Sequence, residues 1–146
     1  MQNYEVGDLL LEKKFSIEGG DFIHAGGVSS AIKKILKDIG VSSEIVRRAA
    51  IASYEAEMNV VAYAKKGMVT FRVTPHSLQF LFEDEGQGIE DIGLAMQEGY
   101  STATDAIREM GFGAGMGLPN IKKNVNDLKI ESTVGIGTTL EMIIYT

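Results

Sequence analysis

Apolar positions alternate imperfectly over residues 9–17 (LLLEKKFSI), the spacing of a strand with one buried face. A turn-rich stretch, GGDFIHAGG, follows at residues 19–27. Ile32, Ile35, Leu36 and Ile39 then recur at helical spacing, with Ser29 or Ser30 placed to cap the helix and Gly40 to end it. A longer helix is predicted from a cap at Ser42 or Ser43 through Lys65 and Lys66, stopping at Gly67. Basic residues in a last turn with glycine just beyond are the expected C-terminal signals. Residues 69–73 and 78–82 read as paired strands about a turn at residues 74–77 that contains Pro75. Residues 89–110 are mixed, with helical spacing only in patches. Residues 118–128 read as a helix, and residues 129–133 and 138–145 as final strands about a turn at residues 134–137. The order strand, two helices, two strands, irregular region, helix, two strands predicts an α+β fold, with helices stacked on one face of a mainly antiparallel sheet. No repeat or linker interrupts it, so residues 1–146 are read as one domain.

Composition narrows the chemistry. Cysteine is absent, which excludes disulfides, thiolate nucleophiles, zinc fingers and iron–sulfur ligation. Two histidines, His24 and His76, are too few for an imidazole-rich metal site. With 14 basic and 20 acidic side chains the net charge is −6, which argues against a nucleic-acid binder. No apolar run approaches the roughly 18–20 residues of a membrane span. Residues 1–10 hold two acids and no base, unlike a signal or transit peptide, so a cytoplasmic setting is expected. Glycine is the anomaly: 17 of 146 residues, about 12% against a typical ~7%.

The long helix is apolar almost all round, the mark of a buried helix. At about 100° per residue, Arg48, Glu55, Asn59 and Lys66 share a stripe about 40° wide, and Glu57 lies about 200° from Glu55. Such a stripe faces water or a ligand. Glu55 and Asn59, at i and i+4, bring their tips side by side. A carboxylate beside an amide oxygen suits a Mg²⁺ that keeps several of its waters, or a base orienting a hydroxyl or water.

Ten of the 17 glycines lie between Gly86 and Gly137. The first cluster, Asp84-Glu-Gly86-Gln-Gly88, follows a strand. A carboxylate there can accept from an exocyclic amine such as that of adenine, and the two glycines leave room for a flat ring. The second cluster, Gly111-Phe-Gly113-Ala-Gly115-Met-Gly117-Leu118-Pro119-Asn120, runs straight into a helix. Exposed amides at a helix N-terminus form an anion site, with Lys122 and Lys123 nearby. The third cluster is Gly135-Ile-Gly137-Thr138-Thr139. The P-loop, the Rossmann fingerprint and the eukaryotic-type kinase motifs are all missing.

E-x-x-x-N (Glu55, Asn59), D-x-G-x-G (Asp84, Gly86, Gly88), G-x-G-x-G-L-P (Gly113 to Pro119) and G-x-G-T-T (Gly135 to Thr139) occur in that order. The set resembles the GHKL, or Bergerat-fold, ATP-binding domain over roughly residues 9–145. It is most similar to the bacterial anti-sigma regulatory factors, serine/threonine kinases of STAS-domain antagonists. Residues 98–102 (EGYST) followed by residues 113–119 resemble the stressosome-type switch kinases.

The resemblance implies a two-layer α/β sandwich with a mixed, mostly antiparallel sheet. It implies Glu55 as catalytic base, Asn59 as Mg²⁺ ligand and Asp84 as reader of the adenine amine. Gly86 and Gly88 would shape the base pocket, and Gly113, Gly115, Gly117 and Leu118 would contact the nucleotide. Thr138, or Thr139 beside it, would lie near Asp84, and a lid would span roughly residues 90–117. The implied cofactors are ATP and Mg²⁺. The implied partner is a STAS-domain antagonist, with a sigma factor as a further partner, and relatives of this kind suggest a homodimer. Two other readings compete. A histidine-kinase catalytic domain needs a phosphoacceptor histidine on a helical hairpin, which neither His24 nor His76 supplies. A non-catalytic nucleotide-dependent module that sequesters a sigma factor or other partner would not need Glu55.

Overall fold

The computed structural model describes residues 8–97 and 117–146. Strand β1 (Leu11–Glu18) leads through the glycine-rich turn to helix α1 (Gly27–Asp38) and the long helix α2 (Ser43–Tyr63). Strands β2 (Ala64–Thr74) and β3 (Ser77–Gly86) form a hairpin, followed by the short helix α3 (Ile92–Ala95). Helix α4 (Gly117–Asn124) precedes β4 (Asp127–Thr133) and β5 (Gly137–Tyr145). The five strands lie in the order β1-β2-β3-β5-β4. Every pairing is antiparallel, so the sheet expected to be mixed is wholly antiparallel among the described residues.

Period-two alternation sends one row of each strand toward the helices. Val69 faces Phe82, Phe71 faces Phe80 and Val73 faces Leu78, and the same β3 residues face Leu140, Met142 and Ile144 of β5. All nine are buried, and the Phe71 and Phe80 rings lie 5.2 Å apart. Ile32 and Leu36 of α1 and Ala49, Ala52 and Ala56 of α2 close the core from above, each with no exposed surface. Alanine at three inward positions lets α2 sit close on the sheet. Each large aliphatic or aromatic side chain removed from water here contributes about 1.5–3 kcal/mol.

Three helix ends differ from the sequence-based expectation. Helix α2 stops at Tyr63, and Lys65, Lys66 and Gly67 belong to β2. The backbone turns extended at Ala64 (φ −119°, ψ 165°), and the Gly19–Gly20 turn bonds one helix-end carbonyl and one of the strand that follows. Gly20 N–H donates to Val61 O at 2.7 Å and Gly19 N–H to Lys65 O at 2.8 Å. Gly67 is a packing glycine: a Cβ there would come within 2.8 Å of Val60 Cγ1. Helix α1 begins at Gly27 with Gly26 (φ 94°) as its N-cap, so neither Ser29 nor Ser30 caps it. Helix α4 ends at Asn124, and Leu128 lies in β4 opposite Met142. Strands β2 and β3 also run further than predicted, because polar residues continue the pairing beyond the apolar run.

Candidate nucleotide and catalytic site

Glu55 and Asn59 do lie together on the face of α2 that meets α4. Asn120 of α4 donates from Nδ2 to Glu55 Oε2 at 3.1 Å. Gly117, at the start of α4, backs onto Asn59: a Cβ there would lie 3.1 Å from Asn59 Oδ1. The helix periodicity therefore places the acid and the amide as predicted. The other two members of the stripe do different work. Arg48 donates from Nε to Asn124 O at 3.0 Å and from Nη2 to Asn126 Oδ1 at 3.1 Å, clamping the far end of α4. Lys66 is not on the helix at all; it lies on β2 beside Glu85, with 3.7 Å between their charged atoms.

Glu57, on the opposite side of α2, is buried at 2% exposure. Its carboxylate accepts from the backbone N–H groups of Gly26 (3.0 Å), Val28 (3.2 Å) and Ser29 (2.9 Å). It is the cap of α1, supplied from a neighbouring helix. An anion there satisfies orphan amides and complements the helix dipole. Sequence reading placed Glu57 away from the site and missed this role; a buried acid opposite a Gly-Gly helix start was the available signal.

The second cluster joins the ends of β3 and β5. Asp84 Oδ1 accepts the N–H of Thr138 at 3.0 Å. Burial pushes the Asp84 carboxyl above its ordinary value, and the Thr138 amide offsets that only in part. Of the two threonines considered, Thr138 is the one tied to Asp84. Around the pair, Gly86 N–H donates to Ile136 O (3.0 Å) and Gly135 N–H to Gln87 O (2.9 Å). The glycines act here differently from the expectation of open room for a ring. A Cβ on Gly86 would lie 2.9 Å from both Ala64 Cα and Tyr63 O, and one on Gly88 (φ 75°) 2.5 Å from Thr133 O. A Cβ on Gly137 would collide with the carbonyl oxygen of Asp84. The space beside these glycines is filled by the chain's own backbone.

The contact of Gly86 with Tyr63 and Ala64 brings the end of β3 against the C-terminus of α2, one turn past Asn59. Both clusters thus lie at the same end of the molecule. Leu118 is buried, and Lys122 and Lys123 are exposed in the last turn of α4. Gly113, Gly115 and the segment 98–102 lie outside the described residues. Asn120, bonded to Glu55, and Ser132, bonded to Thr138, belong to the candidate site and were passed over by sequence reading. Asn120 follows the G-L-P motif directly, and Ser132 stands five residues before Gly137 in the turn motif. Among the described residues no group of three or more His, Asp or Glu side chains could hold a metal ion. No helix among them is long and apolar enough to cross a membrane. His24 and His76 both lie outside helices.

Residues 21–144 match the family described as histidine kinase-like ATPase domain. The chain belongs to that family. It is similar to the serine/threonine-protein kinase RsbT of Bacillus subtilis, 29% identical over 115 residues, which covers 76% of this chain and 80% of that protein. It is also similar to the anti-sigma F factor of Caldanaerobacter subterraneus, 34% identical over 96 residues. That alignment covers 62% of this chain and spans 64% of the length of that relative. Among solved structures, the SiaB-SiaC complex from Pseudomonas aeruginosa contains a chain of the same fold, with a TM-score of 0.61 at 15% identity, covering 94% of this chain and 90% of that one. The mycobacterial sensor histidine kinase MprB shares it too, with a TM-score of 0.54 at 12% identity, covering 92% of this chain and 97% of that one.

Proposed function

We propose that this chain is a single-domain, cytoplasmic, ATP-dependent serine/threonine protein kinase that phosphorylates a STAS-domain antagonist in anti-sigma-factor regulation. The similarity to RsbT and to anti-sigma F factors supports this partner class, with a sigma factor as a second partner. The observation that carries the catalytic reading is the Glu55–Asn120 bond beside Asn59. One carboxylate oxygen is fixed by an amide, which sets the orientation of the other. A carboxylate so held can accept the proton of a partner's serine or threonine hydroxyl as the oxygen attacks phosphorus.

The residues present fit both cofactors. Asp84 has one oxygen committed to Thr138, and its second oxygen makes no hydrogen bond among the described residues. That acceptor suits the amine of adenine. Asn59 offers one neutral oxygen, and without a cage of acids a Mg²⁺ would be held by Asn59, phosphate oxygens and water, the manner that ion favours. ATP and Mg²⁺, when bound, supply the phosphoryl group and the charge that stabilises its transfer. The chain's share is positioning and proton acceptance, which dominate this class of reaction. Gly113, Gly115, Gly117 and Leu118 complete the reading as nucleotide contacts.

Single-turnover transfer from ATP to a purified STAS-domain partner tests it. Glu55→Gln keeps the shape and the bond to Asn120, so ATP binding should persist while transfer slows by about 10²–10⁴. Undiminished transfer by this variant overturns the assignment of the base. Phosphate arriving on a histidine of the chain would favour the histidine-kinase reading instead.

A further inference from the structure

We propose that Ser132 is a positioning residue for base recognition, holding the Thr138 hydroxyl as a hydrogen-bond acceptor and so selecting a ring that presents an amine, not a carbonyl, at the edge facing Asp84 and Thr138. This rests on the nucleotide reading above. Ser132 sits on β4 directly opposite Thr138. Its hydroxyl touches three groups on two segments, the connection after β3 and the start of β5. The Ile89 N–H, from the connection after β3, donates to Ser132 Oγ at 2.8 Å. Gly137 O lies 3.2 Å away and Thr138 Oγ1 2.8 Å away.

Proton counting decides the directions. A serine hydroxyl has one hydrogen to give and two lone pairs to fill. Ile89 N–H can only donate, and Gly137 O can only accept. If Ser132 gives its hydrogen to Gly137 O, the Thr138 hydroxyl must donate to Ser132, and all three contacts are satisfied. If Ser132 gives it to Thr138, the contact to Gly137 O is lost. The first arrangement makes one more bond, and it spends the Thr138 hydrogen on Ser132. Thr138 then presents only lone pairs to a ligand. Its own N–H is already engaged by Asp84. The Asp84–Thr138 pair therefore offers acceptors alone, which welcome an amino group and repel a ring carbonyl. One hydroxyl thus aligns the loop after β3, the β4–β5 turn and the residue that holds Asp84.

Calorimetry with ATP and with GTP, on wild type, Ser132→Ala, Thr138→Val and the double variant, reads the selectivity. Ser132→Ala should weaken ATP binding about three- to tenfold, and the ATP-to-GTP preference should fall by a similar factor. Thr138→Val should do the same, and the double variant should lose no more than either single one, because both break one network. Ser132→Thr, which keeps the hydroxyl, should recover most of the preference. Additive losses, or an unchanged preference in folded Ser132→Ala, overturn the proposal while leaving the kinase reading intact. A second measurement needs no nucleotide. Amide hydrogen exchange at Ile89 should quicken in Ser132→Ala, and unchanged exchange there also overturns the proposal. A wild-type chain that binds neither nucleotide defeats the kinase reading, and the Ile89 exchange still reports whether Ser132 holds the loop.

Discussion

Glu55 is held by a side chain across a helix pair, whereas Asp84 is held by a backbone amide across a strand pair. The helix side depends on which residues stand where on α2 and on how α2 is seated. The strand side depends on how closely two turns approach, and there Gly86, Gly88 and Gly137 are obligatory because backbone occupies the space beside them. The first wall is specified by side-chain chemistry and can be loosened from a distance. The second is specified by sterics and can be broken by a single methyl group.

The largest effect expected is on the helix side and comes from a residue outside the site. Glu57→Ala removes the acceptor of three buried or half-buried N–H groups and leaves the start of α1 uncapped. Losing charge-assisted bonds and orphaning their donors should cost on the order of 3 kcal/mol. Thermal unfolding would show a fall of about 6–12 °C for a chain of this size. Glu57→Gln, which keeps an oxygen but no charge, should fall between. A loss within about 0.5 kcal/mol, the size of an ordinary surface change, would mean that α1 does not rely on this cap.

On the strand side, Gly137→Ala should cost about 1–3 kcal/mol, the usual penalty for forcing an atom into filled space. Nucleotide binding should weaken beyond what the stability loss explains, because the collision falls on the Asp84 carbonyl itself. A control is available at Gly135, where a Cβ meets nothing within 4 Å and only the positive φ of 80° resists substitution. Gly135→Ala should therefore cost less, about 1 kcal/mol. Equal losses at the two positions would show that backbone conformation, not close approach, makes glycine necessary in this turn.

How much of this was legible in the sequence follows the same division. The register of α2 was readable, since Glu55 and Asn59 share a face and Glu57 does not, and periodicity reports that directly. Where α2 ends was not readable. Lys65, Lys66 and Gly67 carry every local signal of a helix C-terminus, yet the helix ends at Tyr63, where Gly20, more than forty residues earlier, bonds the Val61 carbonyl and Gly19 bonds Lys65 in the strand that follows. Local signals also pointed to serine caps for α1, whereas the cap is Glu57, from another helix. The glycine clusters marked where β3 and β5 meet around Asp84, but Gly86, Gly88 and Gly137 admit backbone contact there rather than the expected room for a ring. Asn120 and Ser132 were missed because each works through a non-local hydrogen bond that no spacing rule encodes.

The smallest effect expected on stability separates function from fold at Asp84. With ATP, Asp84→Asn should weaken binding by about 10- to 100-fold, the range for a lost charge-assisted hydrogen bond. Without nucleotide the sign reverses. Burial raises the Asp84 carboxyl above its ordinary value, so the folded chain holds that proton more tightly than the unfolded chain. The contribution to stability is fully present below the unfolded carboxylate value of about 4, and it is lost as the pH rises through the folded value. At neutral pH the ionised group therefore opposes folding. An amide cannot ionise, and its oxygen can still accept the Thr138 N–H. Nucleotide-free Asp84→Asn should accordingly melt slightly above wild type at pH 7.5, with the gap closing as the pH is lowered toward 4. A variant less stable than wild type at neutral pH would make Asp84 a structural clasp between β3 and β5, and its bond to Thr138 would then explain the fold rather than the ligand.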